Sequence, residues 1–118
     1  MVGEYIKDVL IPKQDGWIVL RTNKQFYSLK LGGVDRIEQI ELGQYDSVDF
    51  PLINKLVARV LTDEFIILFE TAGGDAMIHS PDAFIDDEGN TSCGVTYLSE
   101  EEYQEVLKDY EGLLIEVS

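Results

Sequence analysis

The side chains most suited to catalysis are those of the single histidine, His79, and the single cysteine, Cys93. A thiol and an imidazole on neighbouring strands could act as nucleophile and base. Both residues, however, stand in apolar, strand-like sequence, where cysteine usually packs as a small hydrophobe. The many carboxylates of this region also disfavour a reactive thiolate. A small Cys/His hydrolase is therefore an alternative only, and no catalytic residue is predicted.

The acidic segment 86–90 has the composition of a cation-binding loop. An EF-hand loop requires an oxygen ligand at its first position, glycine at its sixth and glutamate at its twelfth. With Gly89 sixth, the first position falls on Phe84 and the twelfth on Val95, so the motif fails at both ends. Neither glycine pair of the chain has a phosphate-binding frame. We therefore predict no metal and no cofactor.

Length and composition indicate one globular domain over residues 1–118. The chain is 45% hydrophobic and 27% charged, and a chain of this size buries about two-thirds of its unfolded surface. One cysteine excludes an intramolecular disulfide and suits a reducing compartment. The first ten residues lack an apolar signal core, and the longest apolar run, 65–69, is too short to span a membrane. These features predict a cytoplasmic protein without a membrane partner.

The charge distribution is the most unusual feature of the sequence. Net charge is −14, from 23 acidic and nine basic side chains. Residues 1–60 contain eight of each sign, whereas residues 61–118 contain fifteen acidic side chains and a single basic one, Lys108. Such a charge disfavours direct binding to nucleic acid, whose phosphates are also negative. It favours a basic protein partner, although acidity also serves solubility alone.

Strand-like patterns dominate the first half of the chain. Alternating or β-branched apolar residues predict strands at 5–11, 17–22, 26–31 and 36–42. A helix is predicted next, with Asp49 as a possible cap and Pro51 in its first turn. Its apolar face would consist of Leu52, Ile53, Leu56, Val57 and Val60.

The second half predicts further strands and a final helix. Strands are expected at 65–70, 76–80, 93–98 and 113–117. Ser99 and Glu102 form a capping-box signature for a helix that buries Tyr103, Val106, Leu107 and Tyr110 and ends at Gly112. The predicted fold is therefore α+β. A mainly antiparallel sheet of about six to eight strands would carry two helices, in the order ββββ-α-βββ-α-β.

The acidic half supplies the predicted partner-binding residues. We place four in the loop before the last helix and four on the polar side of that helix: Asp82, Asp86, Asp87, Glu88, Glu100, Glu101, Glu105 and Asp109. If the loop and the helix start lie on the same side, these carboxylates form one negative patch. Such a patch would steer a basic partner towards the protein.

Size, charge and the lack of catalytic motifs together suggest an inhibitor. This profile is similar to that of bacterial immunity proteins and of phage inhibitors that mimic the charge of DNA, although no motif is shared. The sequence thus predicts a non-enzymatic protein that occludes a basic toxin, for example a nuclease. A structural or assembly protein, phage-encoded or homo-oligomeric through an edge strand, is a second alternative. The sequence leaves open whether the protein is a monomer or a homodimer.

Overall fold

The first 48 residues build one antiparallel sheet. The computed structural model describes residues 1–14, 16–30, 33–64, 66–79 and 95–117. The strands of the first sheet are β1 (Ile6–Pro12), β2 (Ile18–Thr22), β3 (Phe26–Lys30), β4 (Gly33–Ile37) and β5 (Tyr45–Val48). They lie in the order β4-β3-β2-β1-β5, so that the segment between β4 and β5 leads from one edge of the sheet to the other.

Residues 57–117 contribute a second antiparallel sheet. Its strands are β6 (Val57–Thr62), β7 (Ile67–Thr71), β8 (Ala76–His79), β9 (Val95–Leu98) and β10 (Ile115–Val117). They lie in the order β10-β6-β7-β8-β9. The strands β6, β7 and β8 follow one another as hairpins, whereas β10 returns after the last helix to pair with β6.

A shared apolar core packs the two sheets against each other as a sandwich. The first sheet contributes Ile6, Val9, Ile18, Leu20 and Leu29, and the second contributes Val57, Val60, Ile67, Phe69, Met77 and Val95. Phe69 and Met77 are fully buried. Full burial of side chains of this size stabilises the fold by about 1.5–3 kcal/mol each, so this core is a main source of stability.

Helix α1 (Glu100–Asp109) forms a third layer on the outer face of the second sheet. Leu61, Leu68 and Ala76 of that face pack with Tyr103, and Val106 and Leu107 of the helix border the same cluster. The central strands of the second sheet are therefore covered on both faces. No helix in the part of the chain that the structure describes is long and apolar enough to cross a membrane.

The expected single sheet with two helices is wrong, because the described residues form two five-stranded sheets and one α-helix. The helix predicted after Pro51 is replaced by a turn and β6. The turn is closed by hydrogen bonds from Ile53 N to Phe50 O and from Lys55 N to Leu52 O, of 3.1 and 3.0 Å. It ends at Asn54, whose φ is 70°.

A β-bulge explains why β6 resembles a helix in sequence. The register of β6 against β7 shifts between Val57 and Arg59, so Ala58 is an extra residue on the β6 side. The bulge places Val57 and Val60, three residues apart, on the same inner face. Three-residue spacing on one face is also the spacing of a helix, and the pattern alone does not separate the two.

The strand predicted at 36–42 overlaps β4 only at residues 36 and 37, because β4 spans Gly33–Ile37. The early end of β4 has a topological reason. The strand is paired only as far as Ile37, and Leu42–Gln44 forms a short 3₁₀ turn. The chain must leave the sheet there, because β5 pairs with β1 at the opposite edge. The sequence analysis did not predict β5, whose exposed Asp46 and Ser47 give it little apolar character.

Candidate acidic binding surface

Helix α1 begins at the predicted capping box. The backbone N–H of Glu102 donates to Ser99 Oγ over 3.3 Å, and the backbone N–H of Ser99 donates to Glu102 Oε1 over 3.2 Å. These two bonds satisfy donors that the first turn of a helix leaves free. Glu102 is therefore occupied in fixing the helix start, and the remaining carboxylates of the helix are available to the surface.

The apolar face of α1 fixes which side chains point outwards. Tyr103 is fully buried, and Val106, Leu107 and Tyr110 are half-buried on the same side. Because a helix turns once in 3.6 residues, Glu101, Glu105 and Asp109 stand above one another on another side. All three are exposed. We call these three residues the acidic stripe; it rises about 12 Å along the helix.

Glu100 is exposed as well, but its side chain contacts the turn between β7 and β8. Gly74, in the turn between β7 and β8, has φ +91°, and a Cβ added to it would lie 3.2 Å from Glu100 Cδ. The Glu100 side chain therefore rests against the backbone of this turn. It borders the acidic stripe without belonging to it.

A partly buried polar cluster anchors the helix to the sheet beneath. Arg59 Nη2 in β6 donates to Glu70 Oε1 in β7 over 3.1 Å and to the Tyr103 hydroxyl over 3.4 Å. The hydrogen bond to Tyr103 and the nearby Glu70 charge raise the pKa of Arg59, despite its partial burial. Burial raises the pKa of the Tyr103 hydroxyl, which stays protonated at neutral pH. The positive charge of Arg59 is thus paired with Glu70 on the sheet and not with a carboxylate of the acidic stripe.

Asp75, by contrast, is a carboxylate that the fold itself uses. It is 7% exposed and forms an ion pair with Lys55, and it accepts hydrogen bonds from Thr71 and, over 2.9 Å, from the Tyr97 hydroxyl. Burial alone would raise the pKa of Asp75, but these contacts outweigh it and lower the pKa. Asp75 therefore contributes to stability and not to the exposed acidic surface.

The structure locates four of the eight predicted partner-binding residues. Glu100, Glu101, Glu105 and Asp109 are all exposed on α1, as a polar helix face requires. The other four, Asp82, Asp86, Asp87 and Glu88, lie outside the described residues, as do Cys93 and most of the segment tested for an EF-hand. The predicted junction of loop and helix carboxylates into one patch therefore stays a prediction.

His79, the only histidine, lies on β8 and is 3% exposed. Among the described residues, no three His, Cys, Asp or Glu side chains are grouped so that they could hold a metal ion.

The charge asymmetry of the sequence becomes a spatial asymmetry in the fold. The strands of the first sheet lie within residues 6–48, and those of the second sheet, with α1, lie within 57–117. Within the described strands, the two halves of the chain do not interleave in one sheet. Among the described residues, 57–117 carry eleven acidic side chains against Arg59 and Lys108, so the second sheet and α1 hold most of the excess negative charge of the described chain.

A second surface feature was missed by the sequence analysis. Leu113, Ile115 and Val117, at and just before β10, are 62%, 71% and 36% exposed. We call these three residues the β10 rim. Ile115 and Val117 flank Glu116 with the two-residue period of a strand face, and this spacing follows directly from the sequence. That this apolar face is left exposed depends on how the sheets overlap, which the sequence does not reveal.

Comparisons with known proteins give no relative. No family model matches the chain, and no curated protein and no solved structure is significantly similar to it.

Proposed function

We propose that this protein is a non-enzymatic inhibitor that binds the basic face of another protein, and that it acts in the bacterial cytoplasm as an immunity protein for a basic toxin such as a nuclease. The observation that carries the proposal is the acidic stripe. It presents three exposed carboxylates on the layer of the molecule where the negative charge is concentrated.

The acidic stripe is costly for the helix that carries it. Like charges four residues apart, as in Glu101–Glu105 and Glu105–Asp109, destabilise a helix by about 0.2–0.5 kcal/mol per pair. Asp109 also lies in the last turn, where the negative end of the helix dipole disfavours a carboxylate. Covering the sheet requires only the opposite face of α1. A surface that binds a basic partner gives the stripe a role that offsets this cost.

The proposed mechanism is occlusion with electrostatic steering. A concentrated negative field raises the association rate with a basic protein by about one to three orders of magnitude, and salt screens this effect. Carboxylates at the centre of the interface would pair with Lys and Arg of the partner's active face. Loss of one such desolvated carboxylate costs about 2–5 kcal/mol of binding, whereas a carboxylate at the rim affects mainly the on-rate.

The proposed interface extends beyond the stripe. It also includes Glu100 and four carboxylates predicted from the sequence alone, Asp82, Asp86, Asp87 and Glu88. The direct test uses the stripe, because its three residues are exposed and placed on a capped helix. Glu100 is left unchanged in that test, since its side chain rests against Gly74.

The test compares affinity capture from a lysate of the native host, at low and high salt, with three forms of the protein. The first is the wild type, and the second carries Glu101→Gln, Glu105→Gln and Asp109→Asn. The third is a matched control with Glu38→Gln, Asp46→Asn and Asp49→Asn, which removes three exposed charges from the half that contains the first sheet. Captured proteins are identified by mass spectrometry, then purified and assayed with and without the inhibitor.

We expect a basic protein that the wild type and the control retain at low salt, that high salt releases, and that the stripe variant binds at least tenfold more weakly. Its activity should fall when the wild type is added. Equal retention by all three forms, or binding that does not weaken with salt, would contradict the proposed mechanism. A protein that captures nothing and runs as a defined oligomer would instead indicate the structural or assembly role.

A further inference from the structure

The β10 rim is the apolar face of a strand that the rest of the described chain leaves uncovered. In the antiparallel ladder Val117 lies opposite Val60, and Ile115 lies opposite Thr62. Opposite residues share a face, so Ile115 and Val117 belong to the face on which Val60 joins the core between the sheets. Val60 is 1% exposed, whereas Val117 is 36% and Ile115 is 71% exposed. The apolar face of the second sheet therefore continues beyond the part that the first sheet covers.

The backbone of β10 is available on the same side of the molecule. Among the described strands β10 is the last in its sheet and pairs only with β6. Its outer side thus presents N–H and C=O groups to which another extended chain can add.

A cleft next to β10 could receive a side chain of such a strand. It has a volume of about 160 Å³ and lies between the sheets. Val60 and Val117 of the second sheet and Tyr27, Val34 and Arg36 of the first contribute to its walls. Apart from the Arg36 guanidinium and the Tyr27 hydroxyl, these side chains offer apolar surface, which suits an aliphatic residue.

We propose that an extended segment of a basic partner protein adds to β10 as a further strand, with apolar residues on the face of the β10 rim and Lys or Arg at the alternate positions. The inference rests on the proposed function, because it specifies how the basic partner binds. It adds a second contact surface, built from backbone and apolar groups, to the acidic stripe.

The charges around β10 favour such a segment. Glu116 is exposed between the rim residues, Glu111 is exposed just before them, and Glu64 is exposed two residues after the partner of Ile115. A Lys or Arg opposite Glu116 would form a favourable cross-strand pair. These three exposed carboxylates lie close to the β10 rim in sequence or register, and a partner strand that alternates apolar and basic residues matches the alternation of Ile115, Glu116 and Val117.

A second copy of the chain matches this surface less well. Antiparallel self-pairing centred on Glu116 would set the two Glu116 carboxylates directly opposite each other, which is destabilising. Self-pairing centred on Ile115 would place Glu116 opposite Leu114 instead. Both arrangements bring together the acidic halves of two chains with a net charge of −14 each. A basic segment avoids these costs.

The test uses a synthetic peptide as the probe, with capped ends and the sequence Lys-Val-Lys-Val-Lys-Val-Lys. A matched peptide with proline at each valine keeps the charge but removes three N–H donors and the valine side chains, and its fixed φ angles disfavour a β-strand. Binding to the ¹⁵N-labelled protein is followed by amide chemical shifts. The titration is repeated with Ile115→Lys and with a control, Leu42→Lys, at an apolar residue of comparable exposure in the other half of the chain.

We expect the valine peptide to shift the amides of residues 113–117 and of β6, and to bind at least tenfold more tightly than the proline peptide. Ile115→Lys should weaken it at least tenfold, and Leu42→Lys less than twofold. Shifts confined to α1, or equal binding of both peptides, would overturn the inference while leaving the stripe as a binding surface. A dimer that forms with rising concentration and is lost in Ile115→Lys would also overturn it, by assigning β10 to a second copy.

The two experiments distinguish failure of strand addition from failure of the proposed function. If the peptide binds β10 but neutralising the acidic stripe leaves capture of the basic partner unchanged, the steering mechanism fails and strand addition stands. If the stripe variant loses the partner and Ile115→Lys keeps it at full affinity, the proposed function stands and strand addition fails.

Discussion

Arg59 of β6 lies beneath α1 with its guanidinium 3.4 Å from the hydroxyl of Tyr103, the fully buried residue of that helix. The same guanidinium holds Glu70 on the adjacent strand. Tyr103 therefore contacts the sheet from the side of the helix that lies away from the acidic stripe. The rotational position of α1, and with it the direction of the stripe, depends mainly on the burial of the Tyr103 ring.

Removing the Tyr103 hydroxyl should have a small effect, and removing the ring a large one. Tyr103→Phe loses the contacts of the hydroxyl with Arg59 and Glu70 and should lower the free energy of unfolding by about 1 kcal/mol. Tyr103→Ala leaves a cavity between helix and sheet and should lower it by about 3–5 kcal/mol. Urea denaturation measures both. Tyr110→Phe, at a half-buried tyrosine of the same face, is the control, and a loss equal to that of Tyr103→Phe would show that the Arg59 contact has no special weight.

Reversing one charge of the acidic stripe should raise the stability of the protein while it weakens binding to a basic partner. Asp109→Lys removes a repulsion with Glu105 and places a positive charge at the negative end of the helix dipole. We expect the free energy of unfolding to rise by about 0.5–1 kcal/mol and the melting temperature by about 2–5 °C. Binding to a basic partner should weaken. Asp49→Lys, at an exposed residue outside any strand or helix, is the control, and a stabilisation of the same size there would mean that net charge alone is responsible.

The contact between Gly74 and Glu100 can be isolated by comparing two glycines. Gly74 and Gly3 both have positive φ, of +91° and +85°, but a Cβ at Gly3 would meet no atom within 4 Å. Alanine at either position should cost about 1–2 kcal/mol for the backbone conformation. Gly74→Ala should cost about 0.5–1.5 kcal/mol more, because it forces the Glu100 side chain into another rotamer. In a Glu100→Ala background this excess should disappear, and its persistence would show that Glu100 does not touch the turn.

Local signals in the sequence were sufficient for most elements of the fold. The capping box of Ser99 and Glu102 correctly predicted the start of α1, because its two hydrogen bonds are made within four residues. The strands around Leu20, Tyr27 and Phe69 were also correctly predicted from β-branched and aromatic residues. In each of these segments the local preference and the tertiary environment agree.

The errors arise where long-range pairing decides the structure. Val57 and Val60 have helical spacing because of the bulge at Ala58, and only the partner strand β7 reveals the bulge. The division into two sheets likewise depends on which edges pair. For this reason the charge asymmetry could be read from the sequence, whereas its segregation into one layer could not. The exposure of Ile115 depends on how the two sheets overlap. A local sequence pattern does not reveal this overlap, so the exposure could not be predicted either.

Acid should destabilise the fold through Glu4, a buried carboxylate two residues before β1. Glu4 is 5% exposed and accepts hydrogen bonds from the Thr22 hydroxyl over 2.6 Å and the Tyr27 hydroxyl over 2.7 Å, and it lies 2.7 Å from the amino group of Met1. Burial raises the pKa of Glu4, but these three contacts together lower it from 4.5 to about 2. The stabilisation is therefore complete above pH 4.5 and is lost as pH falls towards 2, and by linkage it amounts to about 3 kcal/mol.

Comparison with Glu4→Gln isolates this contribution from the general effect of acid. Lowering the pH also relieves the self-repulsion of the −14 charge, which stabilises the wild type and the variant nearly equally. The difference between their free energies of unfolding, from urea titrations between pH 7 and pH 2, should therefore shrink by about 3 kcal/mol, with most of the change below pH 4.5. Glu38→Gln, at an exposed carboxylate, should differ little from the wild type at every pH. A difference for Glu4→Gln that stays constant down to pH 2 would mean that the Glu4 carboxylate titrates as it does in the unfolded chain.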